Sequence, residues 1–170
     1  MSIVETDIFE ITESIWALTL GLPVTLRDDI ATVERTADFI IGRVLITGYV
    51  QIHGAWEVTV LLECSEALAR RVTVTMFGVE SDDLAPADLE DAVGELTNMI
   101  SGSFKSLLPG ACTLSTPLVL EDMDRDSTLG TSSTVASQVA FECEGELFLV
   151  TLLIPDILQP DALECIRRNE

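Results

Sequence analysis

Four residues on one stretch of the chain, Asp91, Glu95, Asn98 and Gly102, have the types and spacing most open to chemistry. At 100° per residue, Leu89, Val93, Leu96, Ile100, Phe104 and Leu107 fall on one side of a helix over 89–107, with Ala92 and Met99 at its edge. Asp91, Glu95, Asn98 and Gly102 fall on the opposite side. Glu95 and Asn98, three residues apart, are therefore surface neighbours pointing away from the core. Acidic and amide groups on a solvated face need no function. Gly102 is harder to place, because glycine in a helix interior costs about 1 kcal/mol against alanine; it is easier to understand if another backbone comes close.

Other chemistries have less to draw on. Ser-His-Asp, Cys-His and multi-His metal sites would all depend on the one histidine, His53, which stands in a strand-like run before Gly54 and reads as a hairpin-end residue. Cys64, Cys112, Cys143 and Cys165 are widely spaced and form no C-x-x-C pair, so they read as small thiols in a reducing cytoplasm rather than as a metal cage. Asp88, Asp91 and Glu95 could serve a metal-dependent hydrolase. However, carboxylates along one exposed helix face cannot surround an ion without other ligands, and none converges on them. No metal site is expected.

The elements that must position these residues follow from periodicity. Residues 6–20 have an amphipathic helical pattern, with Ile8, Ile11, Ile15, Leu18 and either Phe9 or Ala17 on one face, stopped by Gly21-Leu22-Pro23. Residues 22–42 give mixed signals. Val44–Ile52 and Trp56–Cys64 alternate as strands joined at His53-Gly54, a hairpin. Val72-Thr73-Val74-Thr75 favours a strand, yet Ser65 can cap a helix whose Leu68, Val72 and Met76 recur at four-residue intervals before Gly78; the spacing predicts a helix. Leu84-Ala85-Pro86 starts the long helix, with Asp88, Glu90 and Asp91 near its positive end, and Pro109-Gly110 ends it. Strands are predicted over Cys112–Leu120, Thr134–Cys143 and Glu146–Ile154, the last two joined by the tight turn Glu144-Gly145. Residues 121–133 form a polar loop, and a short helix is predicted over 160–168. The order is α+β: an antiparallel sheet with helices on one face.

Composition bounds what such a body can do. The 170 residues suggest one domain over 1–170, and 48% hydrophobic content supplies a core. Nine basic against 29 acidic residues give a net charge of −20, spread evenly along the chain. That charge excludes a nucleic-acid partner, which needs clustered Lys and Arg, and an anionic membrane surface. The N-terminus lacks a basic start, and the longest apolar run, around Phe148–Ile154, is far below the ~20 residues of a membrane helix; a cytoplasmic protein is expected.

The run Asp91-Ala-Val-Gly-Glu95-Leu-Thr-Asn98-Met-Ile-Ser-Gly102 resembles the signature of the CheC/CheX/FliY family of chemotaxis phosphatases: Asp or Ser, three residues, Glu, two residues, Asn, and a proline further on, here Pro117 after a shorter gap. The Gly-Glu-Leu-Thr-Asn-Met-Ile-Ser-Gly run and the Cys64-Ser65-Glu66 and Met76-Phe77-Gly78 helix ends resemble the CheX branch. The resemblance implies a CheX/CheC-like fold and hydrolysis of the aspartyl phosphate of a CheY-like response regulator. It makes Asn98 the group that orients the attacking water and Glu95 the partner of the regulator's active-site Lys. Asp91 and Gly102 become docking residues, and Pro117 structural. The regulator would carry the Mg²⁺, so no cofactor of its own is expected. CheC-type members resemble a duplicated unit. Here the first helix offers Glu13-Ser-Ile-Trp16, with Trp where Asn would be needed, so one site is expected. Val135–Cys143 and Phe148–Ile154 carry apolar residues on both faces and few edge-protecting charges, so a homodimer joined through sheet edges is expected, and the resemblance implies the same. The alternative is a non-catalytic module of the same fold that docks a response regulator or a flagellar switch component.

Overall fold

The computed structural model describes residues 3–27, 45–121 and 133–156. Cys165, the helix expected over 160–168, residues 122–132 of the loop expected over 121–133 and most of the undecided 22–42 stretch lie outside them. Helix α1 (Ile3–Ile15) continues into a wide π turn over Trp16–Leu20, closed by Gly21 in the left-handed region at φ 65°. A short strand β1 (Thr25–Leu26) follows. Strands β2 (Leu45–Gly54) and β3 (Val58–Ser65) form the expected hairpin, paired from Leu45↔Ser65 to Ile52↔Val58. Its end is fastened by Glu57, whose Oε2 lies 2.8 Å from His53 Nδ1 and whose Oε1 accepts from the Gly54 N–H at 3.3 Å. His53 is thus a hairpin-end residue.

Helix α2 (Glu66–Phe77) settles the conflict between propensity and capping in favour of the cap. Ser65 Oγ accepts from Leu68 N at 3.1 Å, and Gly78 closes the other end. Its β-branched threonines are accommodated by bonding back to the preceding turn: Thr73 Oγ1 donates to Ala69 O at 2.8 Å and Thr75 Oγ1 to Arg71 O at 2.9 Å. Helix α3 (Pro86–Leu107) begins at proline, and Asp88 Oδ2 reaches back to accept from Ala85 N at 2.8 Å.

After α3 the chain forms β4 (Cys112–Leu114), β5 (Leu118–Glu121), β6 (Ser133–Cys143) and β7 (Glu146–Pro155). The single strand expected over Cys112–Leu120 is broken at Ser115-Thr116-Pro117: β4 pairs with the end of β2 and β5 with its beginning. The β6–β7 turn is tight because Glu144 and Gly145 both take positive φ, 50° and 84°.

Among the described residues the strands make one antiparallel sheet in the order β1-β6-β7-β3-β2, with β4 and β5 both on the outer side of β2. The helices cover one face. α1 lays Phe9 against Phe141, the π turn that follows lays Trp16 against Phe148, and Phe141 stacks on Phe148 at 4.9 Å. α3 crosses β2. The central strands are buried on both faces: Val60, Leu62, Val150 and Leu152 towards the helices, Leu61, Leu149 and Leu153 away from them. This is why β7 is apolar from Leu147 to Ile154 apart from the buried Thr151. It is a central strand between β6 and β3, so it offers no edge for dimerisation, contrary to the reading of Phe148–Ile154 as edge material.

Two predicted core positions are corrected. Leu18 is 86% exposed, because the π turn adds a residue to the helical repeat and turns Trp16 and Leu20 inward in its place. Leu107 is 47% exposed; α3 ends there, and the extended backbone of Leu108 swings that side chain inward instead.

Candidate functional site

Helix α3 is held against the sheet by its own small and polar residues as much as by its apolar stripe. Leu89, Ala92, Val93, Leu96, Ile100 and Phe104 are buried as their spacing predicts, and so are Gly94, Thr97 and Ser101. The two hydroxyls are satisfied within the helix: Thr97 Oγ1 donates to Val93 O at 2.7 Å, Ser101 Oγ to Thr97 O at 2.6 Å. Below them the sheet gives way. A Cβ on Gly48 of β2 would lie 1.9 Å from Thr97 Oγ1 and 3.2 Å from Val93 Cγ1, so only glycine lets α3 sit this low at that turn.

The opposite side carries the four residues singled out from the sequence. Asp91 and Glu95 are exposed, Asn98 and Gly102 half-buried. Glu95 and Asn98 are neighbours across less than one turn, with Cβ atoms about 5–6 Å apart by helix geometry. Among the described residues no side-chain hydrogen bond or ion pair engages Asp91, Glu95 or Asn98. An anionic group and an amide that donates and accepts therefore stand together, unspent. The close backbone expected at Gly102 is not there: the nearest atom to a Cβ at that position would be Leu114 Cδ1 at 3.9 Å, an ordinary contact.

Sequence reasoning missed the flank of this face. A Cβ on Gly94 would lie 3.4 Å from Val119 Cγ2 and 3.6 Å from Pro117 Cβ, so the corner between β4 and β5 stands beside the helix just before Glu95. A glycine inside a helix directly preceding the acidic residue, and a Ser-Thr-Pro break inside a strand, were the available signals. On the first helix Glu13 is exposed, while Trp16, which follows it after two residues, is buried and stacked on Phe148 at 4.5 Å.

Among the described residues no three His, Cys, Asp or Glu side chains come together to hold a metal ion, and no described helix is long and apolar enough to cross a membrane. Burial, reinforced by Glu63, pushes the Cys64 thiol up to about 12. Cys143 is also raised, mainly by burial and then by Glu144, against opposing pulls from the Trp16 indole and Arg71. Both are poor nucleophiles for that reason.

Comparison with known proteins supplies the context of this geometry. The family model described as chemotaxis phosphatase CheX matches residues 46–141. No curated protein matches the chain by sequence. Among solved structures, the chemotaxis protein CheX from Vibrio vulnificus is similar at 19% identity and TM-score 0.61, covering 87% of this chain and 94% of that one. CheX from Desulfovibrio desulfuricans is similar at 18% identity and TM-score 0.58, with 89% and 98% covered. The CheX of a CheX–CheY–BeF3–Mg²⁺ complex from Borrelia burgdorferi is similar at 16% identity and TM-score 0.61, with 89% and 97% covered. At these identities the likeness is one of fold.

Proposed function

This chain belongs to the CheX family, the chemotaxis phosphatases whose model spans residues 46–141, and from that premise we propose that it hydrolyses the aspartyl phosphate of a CheY-like response regulator in the cytoplasm. The observation that carries this reading is the pairing of Glu95 and Asn98 on the outward face of α3, exposed and half-buried respectively, with no partner of their own among the described residues. The Borrelia relative was solved together with CheY, BeF3 and Mg²⁺, which supports a regulator as the partner.

The reaction asks little of the enzyme. Water attacks phosphorus in line as the bond to the aspartyl oxygen breaks, giving a free carboxylate, inorganic phosphate and a proton. The transition state is loose, and the regulator brings the phosphoaspartate, a Lys and the Mg²⁺ that neutralises the transferring oxygens. What is missing is a group to hold the water. The Asn98 amide accepts a hydrogen bond from that water and donates one to the phosphoryl oxygens, needing no shifted pKa. Glu95 pairs with the regulator's Lys, a charge-assisted bond that strengthens as docking expels water. Asp91 extends the anionic stripe one turn towards the helix N-terminus, and Gly102 leaves room for the regulator's backbone at the other end. A homodimer is part of the same reading.

The deciding experiment is release of inorganic phosphate from a phosphorylated regulator with and without the protein. Acceleration over the regulator's own hydrolysis is expected. Tight binding without acceleration would leave a docking module of the same fold.

A further inference from the structure

The segment from Leu114 to Val119 runs along the side of α3 that carries the site. Gly94 faces Pro117 and Val119, and Gly102 faces Leu114. Asn98 is one turn from each glycine, so these contacts bracket it along the helix, and Ser115 and Thr116 are the residues that lie between them on the neighbouring segment. The bracketing explains why Asn98 is half-buried while Glu95, further round the helix, is exposed. The corner is fixed to the sheet at its base. The Ser115 N–H donates to Gln51 O at 2.8 Å, and Ser115 Oγ accepts from Gln51 N at 2.9 Å. Pro117 adds a fixed φ. Thr116, between these anchors, is exposed.

From this arrangement the geometry points to the β4–β5 corner, with Thr116 at its tip, as the second wall of the docking site, a specificity-determining contact for the response regulator that approaches Asn98. The inference rests on the regulator reading above and deepens it. One side of the site is the anionic helix stripe of Asp91 and Glu95, which selects a basic patch on the partner. The other side is a neutral, pinned corner, which selects by shape and offers one hydroxyl. A regulator that brings its phosphoaspartate to Asn98 must pass between them, so a longer side chain at 116 blocks it before chemistry begins.

Thr116→Arg tests this in the full-length protein. Two quantities are read: steady-state hydrolysis of the phosphorylated regulator, and titration of the regulator loaded with BeF3 and Mg²⁺ as an unreactive mimic. KM and Kd should rise tenfold or more while kcat stays within twofold, because Glu95 and Asn98 are untouched. The same substitution at Thr75, exposed on α2, controls for the added charge and should change neither. If the arginine variant melts early, Thr116→Gln is read in the same way. Unchanged KM and Kd in an active, folded Thr116 variant would overturn the wall and leave the phosphatase reading standing. If the unaltered protein binds the mimic but releases no phosphate, the phosphatase reading fails, and the Kd of the variant still decides the wall. A protein that does neither overturns both.

Discussion

In the proposed mechanism Asn98 holds one water molecule in line with a phosphorus–oxygen bond, and it contributes only once that geometry forms. Asn98→Ala should therefore cut turnover while leaving regulator binding nearly intact. By analogy with a single oxyanion-hole donor the loss is about 10²–10³-fold. Glu95→Ala should weaken affinity as well as rate, since its partner is engaged on docking. Both side chains face away from the core, so melting temperature should not move. Normal activity in Asn98→Ala would sink the mechanism, and a large drop in melting temperature would place this face on the wrong side. A second expectation at this scale concerns the thiols. Cys64 is fully buried with its pKa raised from 9.0 to about 12, and Cys143 is raised in the same direction. The folded state keeps protons that the unfolded chain releases above pH 9. The stability these neutral thiols lend is complete below pH 9 and lost as pH rises towards 12, by up to about 1.4 kcal/mol per pH unit for Cys64. Denaturant midpoints measured from pH 8 to 10.5 should fall, and Cys64→Ala should flatten the slope. At pH 8 a thiol reagent should label the half-buried Cys112 and spare Cys64 and Cys143 until the protein unfolds.

Elements are held in register by close approaches that a residue pattern records only as glycines. Gly48→Ala would drive a methyl group into Thr97 beneath the site, an overpacking worth about 1–3 kcal/mol of stability; chemical denaturation measures it, and a neutral result would mean that α3 can ride up off β2. Gly102→Ala should do the opposite. The pocket beside Leu114 accepts a methyl at ordinary contact distance, so the helix should gain up to about 1 kcal/mol while regulator affinity falls. A stabilised variant with unchanged affinity would remove Gly102 from the docking surface. The same contrast shows what could be read in advance. α2 was legible despite its Val-Thr-Val-Thr run, because Ser65 and Gly78 mark its ends and the threonine hydroxyls are absorbed by their own helix. The outward side of α3 was legible because a 3.6-residue period sorts Asp91, Glu95 and Asn98 from the core without any tertiary information. The π turn that exposes Leu18 was not, since helical spacing assumes a constant repeat. Nor was the central place of β7, because an apolar run does not say which strands flank it. The wall at Ser115–Pro117 depends on β4 and β5 both pairing with β2, a long-range fact with no local signature beyond the proline.

At the scale of the whole molecule, the β6 side of the sheet and the net charge govern association. Among the described residues β1 covers the outer edge of β6 only at Phe141 and Glu142, with Arg27 N bonding Ala140 O. The stretch Val135–Val139 carries no Lys, Arg, Asp or Glu, the kind of side chain that discourages edge pairing. A homodimer joined along β6 is expected, and a monomer in sedimentation at micromolar concentration would count against it. Charge governs the other encounter. Arg27, Arg70 and Arg71 are paired with Glu142, Glu66 and Glu144, so these cations are cancelled locally and the net −20 sets the far field. A regulator that is itself acidic is repelled before it reaches α3. Raising the ionic strength from 0.01 M to 0.15 M shortens the screening length from about 30 Å to about 8 Å, which removes that long-range repulsion. It leaves a Glu95–Lys contact, formed at a few ångströms with water expelled, largely in place. The association rate with an acidic regulator should therefore rise with salt over this range, while the dissociation rate changes little. Stopped-flow binding at several salt concentrations gives both. An association rate that falls with salt would show that the partner approaches through a basic surface strong enough to outweigh the field of the whole molecule, which would move the main attraction from the single Glu95 contact to the full anionic stripe of α3.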